Sequence, residues 1–403
     1  MSRLSLLDTV PRSLDVSVIR PLTGGGSGAY SALARDRQGR LVVLKVLAQA
    51  SNVVDGHDLN AFRAKQLQVG LLQDLAPAIA ARYPQVHQVG HEDTWSAYVY
   101  EHIPRPNLVE VATNAGVDRA HRALCAIWRQ LAADGYSVSA TRASSDHWQR
   151  VYLDRVPRRR WILEANVPQR LLTADQVRVN GRVVRGLDAT VAAASAITKL
   201  LATATLAPPV HGDLNLRNLL LADPAPAASR SAAASRPAAS SAAPDFTLID
   251  PRGTLDLWDP CYDLAKLLFT LSLFEAAMAS GFHVRRHGPV EYTVTLRSNP
   301  LRQWLSRFVA DARSLSEVIG LNAAAWRAQL LFAHAAHVLS EASCRLSDRS
   351  EPKAVRLNRC LGLLLYGLLL LGDLLDQVTR LDVVDVRRHL ALVEPGASPD
   401  ANA

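Results

Sequence analysis

The sequence predicts an α+β chain in which a small antiparallel sheet carrying one helix precedes a larger, mostly helical part. Three observations lead there. Short β-like runs separated by glycine-rich or polar turns fill roughly the first hundred residues. Helical spacing of apolar residues dominates from Asn107 onward. A brief return to β-like sequence brackets two aspartates, Asp213 and Asp250, on either side of a stretch with no large apolar side chain.

Residues 15–22 (DVSVIRPL), 29–35 (AYSALAR) and 40–47 (RLVVLKVL) read as three strands. They are joined by Thr23-Gly24-Gly25-Gly26-Ser27-Gly28 and by Asp36-Arg37-Gln38-Gly39, both turn-forming sequences. A helix over 58–81 follows, with Leu67, Leu71, Leu72 and Leu75 as its apolar positions, then strands at 84–90 and 95–101. These elements make an N-terminal lobe over residues 1–103. The spans 108–134, 141–155 and 185–206 show helical spacing, and the chain is expected to be helical from Asp263 to about residue 390. A C-terminal lobe over 104–395 is thus predicted. Residues 222–244, almost wholly Ala, Ser, Pro and Arg, are an insertion too poor in large apolar residues to fold, and 396–403 is a tail.

Composition narrows the class. With 49% hydrophobic residues in 403, the chain can bury a sizeable core. Cys125, Cys261, Cys344 and Cys360 are scattered without CxxC pairing, which argues against a disulfide framework or a zinc site and fits a reducing compartment. Met1–Leu22 lacks the pattern of a signal peptide. Leu361–Leu371 (LGLLLYGLLLL) is short for a bilayer span and reads as a buried core helix, so a cytoplasmic protein with no membrane partner is expected. The net charge of +8 rests on 40 Arg against only 5 Lys. In an alanine-rich chain that skew reflects coding bias more than a polyanionic partner, and no nucleic-acid partner is expected. Oligomeric state is not legible.

The chemistry is carried by His211-Gly212-Asp213-Leu214-Asn215-Leu216-Arg217-Asn218 and by Phe246-Thr247-Leu248-Ile249-Asp250. Phosphoryl transfer asks a protein mainly to position charges: amides and a cation on the phosphates, oxygen ligands for magnesium, and a carboxylate to orient the acceptor hydroxyl. Asp213, in a loop after an apolar run, is the candidate base. Asn218, five residues on, and Asp250, ending a β-like run, are candidate Mg2+ ligands. Protein kinases use the same logic, an Asp, four residues, an Asn, and later a metal Asp after a strand.

With His-Gly-Asp at its head, this pattern resembles the aminoglycoside phosphotransferase and choline kinase group of small-molecule kinases. LIDPRG and the following DPCYDLAKLL (259–268) also resemble that group. The resemblance implies a protein-kinase-like bilobal fold, ATP and Mg2+ as cofactors, and a small-molecule hydroxyl acceptor. It implies that Asp213 is the base, that Asn218 and Asp250 hold the metal, that His211 shapes the loop, and that Asp263 and Asp259 support it. Lys45, a lysine where an interchangeable site in this chain would carry arginine, resembles the strand lysine that holds ATP phosphates. Gly24, Gly25, Gly26, Ser27 and Gly28 occupy the position of the phosphate-covering loop. Tyr100-Glu101-His102-Ile103 resembles the hinge, with backbone groups of Glu101 and Ile103 facing adenine. One feature departs from the group: the 58–81 helix has no Glu to pair with Lys45. Asp58 and Asp74 are its only acids, with Gln66 and Gln68 near the expected place, so the partner of Lys45 stays open.

Elsewhere the residues read structurally. Arg158-Arg159-Arg160 reads first as a solvated face, with an anionic substrate as the second option. His334 and His337 read as packed side chains rather than ligands, and Trp148, Trp161 and Trp304 as core. The absence of a protein-kinase-type Ala-Pro-Glu segment after Asp250 disfavours a protein or lipid kinase, and an inactive nucleotide-binding scaffold is the third reading. The basic balance favours a neutral or anionic acceptor, such as a sugar or nucleoside, and leaves amino-alcohols and antibiotics open.

Overall fold

A computed structural model describes residues 9–22, 29–49, 58–222, 244–321, 324–346, 351–379 and 384–394. The Gly24–Gly28 loop, nearly all of the 222–244 insertion and the 396–403 tail lie outside them.

Strands β1 (Ser17–Pro21), β2 (Tyr30–Arg35) and β3 (Leu41–Ala48) form an antiparallel meander. Helix α1 (Leu59–Leu75) follows, and β4 (Val86–Glu92) and β5 (Trp95–Glu101) complete a five-stranded sheet of order β1-β2-β3-β5-β4. The two-residue period of a strand sorts β3 between two faces. Val42, Leu44 and Val46 pack with Ala34, Ala97, Val99 and the N-terminal Val10 and Leu14. Lys45 and Leu47 therefore point the other way, toward α1, where Leu47, Phe62 and Tyr98 form a small cluster. That alternation, set by sequence, puts Lys45 on the face covered by the helix.

The helix is shorter than the expected 58–81. Asp58 caps it, accepting from the Ala61 amide at 2.9 Å. It stops at Ala76 because Pro77 offers no N–H and disfavours helical geometry in the residue before it; a separate turn, Pro77–Ala80, follows. Its buried positions are Phe62, Gln68 and Leu72, whereas Leu67 is exposed, so a glutamine sits in the packed stripe.

The remainder is mostly helical. Helices α2 (Leu108–Ala115) and α3 (Val117–Leu131) come first. Strands β6 (Val177–Val179) and β7 (Arg182–Val184) and helix α4 (Leu187–Thr198) precede the hairpin of β8 (Leu219–Leu221) and β9 (Phe246–Leu248). Then come α5 (Pro260–Phe269), β10 (Phe282–Arg286), β11 (Glu291–Leu296), α6 (Arg302–Val318), α7 (Trp326–Cys344) and α8 (Lys353–Thr379). This is the predicted α+β class: a small antiparallel sheet with its helix, then a larger helical part, in the element order expected of a kinase-like bilobal fold.

Two expectations need correction. The chain is not helical throughout from Asp263 to 390: β10 and β11 pair with each other, and β11 runs parallel to β6, giving a second sheet of order β10-β11-β6-β7. The alternation of EYTVTL after the turn-forming His287-Gly288-Pro289 is a hairpin signal that the surrounding helical pattern obscured. Nor is 141–155 one helix. Thr141–Arg142 pairs with Thr205–Leu206, and only a wide π-type turn forms at Gln149–Leu153.

The core of the larger part is the α7–α8 pair. At Gly367 a Cβ would come within 2.8 Å of the Leu339 Cα, so only glycine permits this approach of the two helices. Helix α8 is longer than the Leu361–Leu371 core. By length and composition it could cross a membrane, but 83% of its apolar window is buried against the rest of the protein. Trp148 and Trp304 are buried as expected; Trp161 is 48% exposed, contrary to expectation.

Candidate functional site

The 211–218 loop is held by bonds to backbone atoms. His211, fully buried, accepts the Asp213 amide on Nδ1 at 3.1 Å, which leaves Nε2–H to donate to the Ile249 carbonyl at 2.9 Å. Asp263, at the start of α5, accepts the Gly212 and Leu214 amides at 3.0 and 3.1 Å, one per carboxylate oxygen, and the Tyr136 hydroxyl at 2.8 Å. Gly212 has φ of 78°, and a Cβ there would lie 2.9 Å from the Arg252 Cβ, so the turn into Asp213 requires glycine. Gln68, the odd polar residue in the α1 stripe, accepts the Gly253 and Thr254 amides at 2.7 and 2.9 Å and donates to the Pro209 and His211 carbonyls. One buried amide thus ties the helix to both segments that carry the acids. Asp259 caps α5 through the Cys261 amide at 2.9 Å and accepts from Tyr152.

The β8–β9 hairpin explains how residues distant in sequence meet. Its register pairs Leu219 with Leu248, so Asn218 and Ile249 sit side by side just beyond it, joined by an amide-to-carbonyl bond of 3.0 Å. Asn218 donates its side-chain amide to the Asp213 carbonyl at 3.1 Å, which turns its Oδ1 away from that carbonyl. Asp250 follows with φ of 57°, the left-handed region that Asp tolerates better than most residues and that recurs at functional sites.

Two lysines reach Asp250. Lys45 Nζ lies 2.6 Å from Oδ1 and Lys65 Nζ 2.5 Å from the same atom. Burial opposes ionisation of Asp250, but the two ammonium groups outweigh it and hold the carboxyl well below its usual range. Lys45 is pulled down from its ordinary value by burial and by repulsion from Lys65, against the attraction of Asp250. The open question of Lys45's partner is answered by Asp250. Asp58 is spent as the N-cap, and the helix contributes a second cation instead of an acid.

Asp213 also has a lysine. Lys266, on the DPCYDLAKLL helix, places Nζ 2.9 Å from Asp213 Oδ1. Burial works against the ammonium, yet Asp213 and Glu341 raise its pKa overall. Around it lie His337 at 3.2 Å and Glu341 at 4.0 Å, with Arg345 paired to Glu341. The Arg158-Arg159-Arg160 run is a solvated face only in part: Arg158 is exposed and Arg160 pairs with Asp188 and Glu164 at the surface, but Arg159 is 3% exposed and bonded to Cys344. Upstream Arg155 is also buried, donating to the Tyr262 hydroxyl. His334 bonds Ser272 and His389, and the two HAAH histidines are packed side chains as read.

Lys45, Tyr83, Val86, Tyr98, Tyr100 and Ile249 line a cavity beside Asp250. At the strand end, the Glu101 amide already donates to the Gln85 carbonyl, and the Ile103 carbonyl accepts from the Arg105 amide. The Gly24–Gly28 loop is outside the described residues.

Sequence reasoning missed Lys65, Lys266 and the linking role of Gln68. Its own argument for Lys45 would have found the first two. Of the five lysines in a chain that otherwise uses arginine, Lys45, Lys65 and Lys266 all contact Asp213 or Asp250. Gln68 stood out only by its place near the missing acid; its bonds to the Pro209–His211 and Gly253–Thr254 segments were not legible, because a buried glutamine in a helix stripe is indistinguishable from a surface one without the fold.

No family model matches the sequence, and no curated protein matches it. Among solved structures the chain is similar to an amicoumacin kinase in complex with AMP-PNP, Ca2+ and Ami, with 11% identity, 96% of each chain covered and a TM-score of 0.49. A likeness at that identity and score says nothing about the chemistry of this chain.

Proposed function

We propose that the chain is an ATP-dependent phosphotransferase that moves the γ-phosphoryl group of ATP to a hydroxyl of a small molecule. One observation carries the reading: a looped aspartate, an asparagine bonded to its carbonyl, a left-handed aspartate after a short strand, and a strand lysine on that aspartate converge from three separate segments. That order and geometry are what phosphoryl transfer asks of a protein, which supports the reading.

In this reading Asp213, 37% exposed, faces the acceptor, orients its hydroxyl and takes its proton. Lys266 pins the carboxylate in one orientation. The residues fit a magnesium ion: Asp250 is held ionised, and Asn218 Oδ1 is turned away from the one bond its amide makes. Asp250 and Asn218 would hold the ion, which would neutralise phosphate charge. Lys45 and Lys65, freed from Asp250, hold phosphate oxygens, while the Ile103 amide and the tyrosine-lined cavity take the adenine. The acceptor is neutral or anionic, consistent with the cations Lys266, Arg155 and Arg159 behind Asp213 rather than an acidic wall. We place the reaction in the cytoplasm, without nucleic-acid or membrane partners.

A second reading has one observation in its favour. A helix that offers no glutamate to Lys45 and instead sets a second lysine, Lys65, on the metal-type aspartate suits a nucleotide-binding scaffold of weak or no activity. Incubating the protein with Mg·ATP and a panel of sugars, nucleosides, amino-alcohols and antibiotics separates the two. Acceptor-dependent ADP formation, abolished by Asp213→Ala, supports the kinase; ATP binding without turnover on any acceptor supports the scaffold.

A further inference from the structure

Apart from the residues that contact Asp213 and Asp250, three side chains converge on one point. His121 and Cys125 are one helical turn apart on α3, so both project from the same face. Asp311 comes from α6, which packs against α3. His121 Nε2 lies 2.8 Å from Asp311 Oδ2 and 3.6 Å from Cys125 Sγ, and Sγ lies 3.9 Å from the same carboxylate oxygen.

Those contacts distinguish between two kinds of His-Cys-Asp set. In a nucleophilic relay the thiol and the carboxylate use opposite ring nitrogens. Here both meet Nε2, and the three atoms form a triangle. Zinc held by N, O and S at about 2.0–2.3 Å has tetrahedral edges of roughly 3.3–3.6 Å. The His121–Cys125 edge matches; binding would open the hydrogen-bonded His121–Asp311 edge by about half an ångström and draw the Cys125–Asp311 edge in by a few tenths. The donor set is the borderline-soft one that zinc selects.

We propose that His121, Cys125 and Asp311 bind a zinc ion that joins α3 to α6, with the fourth position open to water on the exposed Asp311 side.

Three features support this site. The helices are already locked together by the Trp128 indole donating to the Leu315 carbonyl at 2.8 Å and by the Arg307–Asp118 ion pair, so the ligands sit on a rigid frame. One thiolate and one carboxylate exactly neutralise a divalent ion, which removes the charge penalty of a half-buried site. His121 and Cys125 are 7% and 6% exposed, whereas Asp311 is exposed, giving the metal an entry path. Zinc binding would displace the Cys125 thiol proton to solvent as the zinc–sulfur bond forms. His121 Nδ1 is buried with no hydrogen-bond partner among the described residues. A zinc ligand usually has such an outer partner, whose loss costs about 10–100-fold in affinity, so a site weaker than a structural four-ligand zinc is expected.

The test uses the full chain with Co2+ as a spectroscopic substitute for Zn2+. One equivalent should produce a thiolate-to-cobalt charge-transfer band and tetrahedral d–d bands, and Zn2+ should displace both. Cys125→Ser should abolish the charge-transfer band, and Asp311→Asn, a conservative change at an exposed position, should weaken cobalt binding at least tenfold. A cobalt ion at Asp250 has no sulfur ligand and gives no such band, so the outcome is independent of the phosphotransferase reading. Absence of the charge-transfer band in the folded wild-type chain, or its persistence in Cys125→Ser, overturns the site.

Discussion

The two acids of the site are held in different ways. Asp213 sits on a loop fastened by hydrogen bonds to backbone groups: His211, Asp263 and Asn218 each engage an amide or carbonyl of residues 211–214 or 249. The Asp213 carboxylate itself has one lysine, Lys266, whereas the Asp250 carboxylate is gripped by two, Lys45 and Lys65. Backbone bonds survive a change of ligand; ion pairs with a mobile cation do not. If the proposed function holds, the difference teaches that the Asp213 loop is built before substrates arrive, while the Asp250 side is built to exchange partners.

The largest expected effect breaks the first region at its functional end. Asp213→Asn should lower acceptor-dependent turnover by about 10²–10⁴-fold, the usual worth of a positioned acid–base group, with ATP affinity nearly unchanged. Steady-state rates and nucleotide titration together check this.

Next, the bracing and the ion pairs should fail differently. Asp263→Ala leaves two amides and the Tyr136 hydroxyl unsatisfied in a buried place, which should cost about 3–5 kcal/mol in denaturant unfolding, and activity with it. Lys65→Ala removes one of two cations on a carboxylate that is 25% exposed. It should leave unfolding within about 1 kcal/mol of wild type while raising the KM for ATP. A Lys65→Ala protein as unstable as Asp263→Ala would erase the contrast.

A smaller effect comes from the buried histidines, which lie outside the acidic sites. Burial holds His389 down to about 4, and His334 is pushed well below its ordinary value. The unfolded chain binds protons there from about pH 6.5 downward and the folded chain does not, so stability should fall as pH drops from about 6.5 toward 4. His389 alone would account for up to about 3 kcal/mol of that loss at pH 4. His389→Asn should flatten the slope of unfolding free energy over this window.

The legibility of the molecule follows the same division. The sheet and its strands were readable because period-two alternation and glycine-rich turns are local. Asp213, Asn218 and Asp250 were readable as a spaced motif, and the structure brings them together. What the chain alone could not show was partnership: that α1 offers Lys65 and Gln68 where an acid was sought, or that Arg155 and Arg159 turn inward. Such contacts depend on how α1 and α7 lie against the loops. β10 and β11 were missed although their alternation was visible, because long flanking helical runs set the expectation for the whole region.

Transfer of the labelled γ-phosphoryl of ATP to a small-molecule hydroxyl, followed by mass spectrometry of the acceptor, tests the central claim most directly. The wild-type chain should yield a phosphorylated product with at least one acceptor of a broad panel, and Asp213→Asn should bind ATP and yield none. Product formed equally well by Asp213→Asn, or ATP bound by the wild type with no acceptor ever labelled, would contradict it.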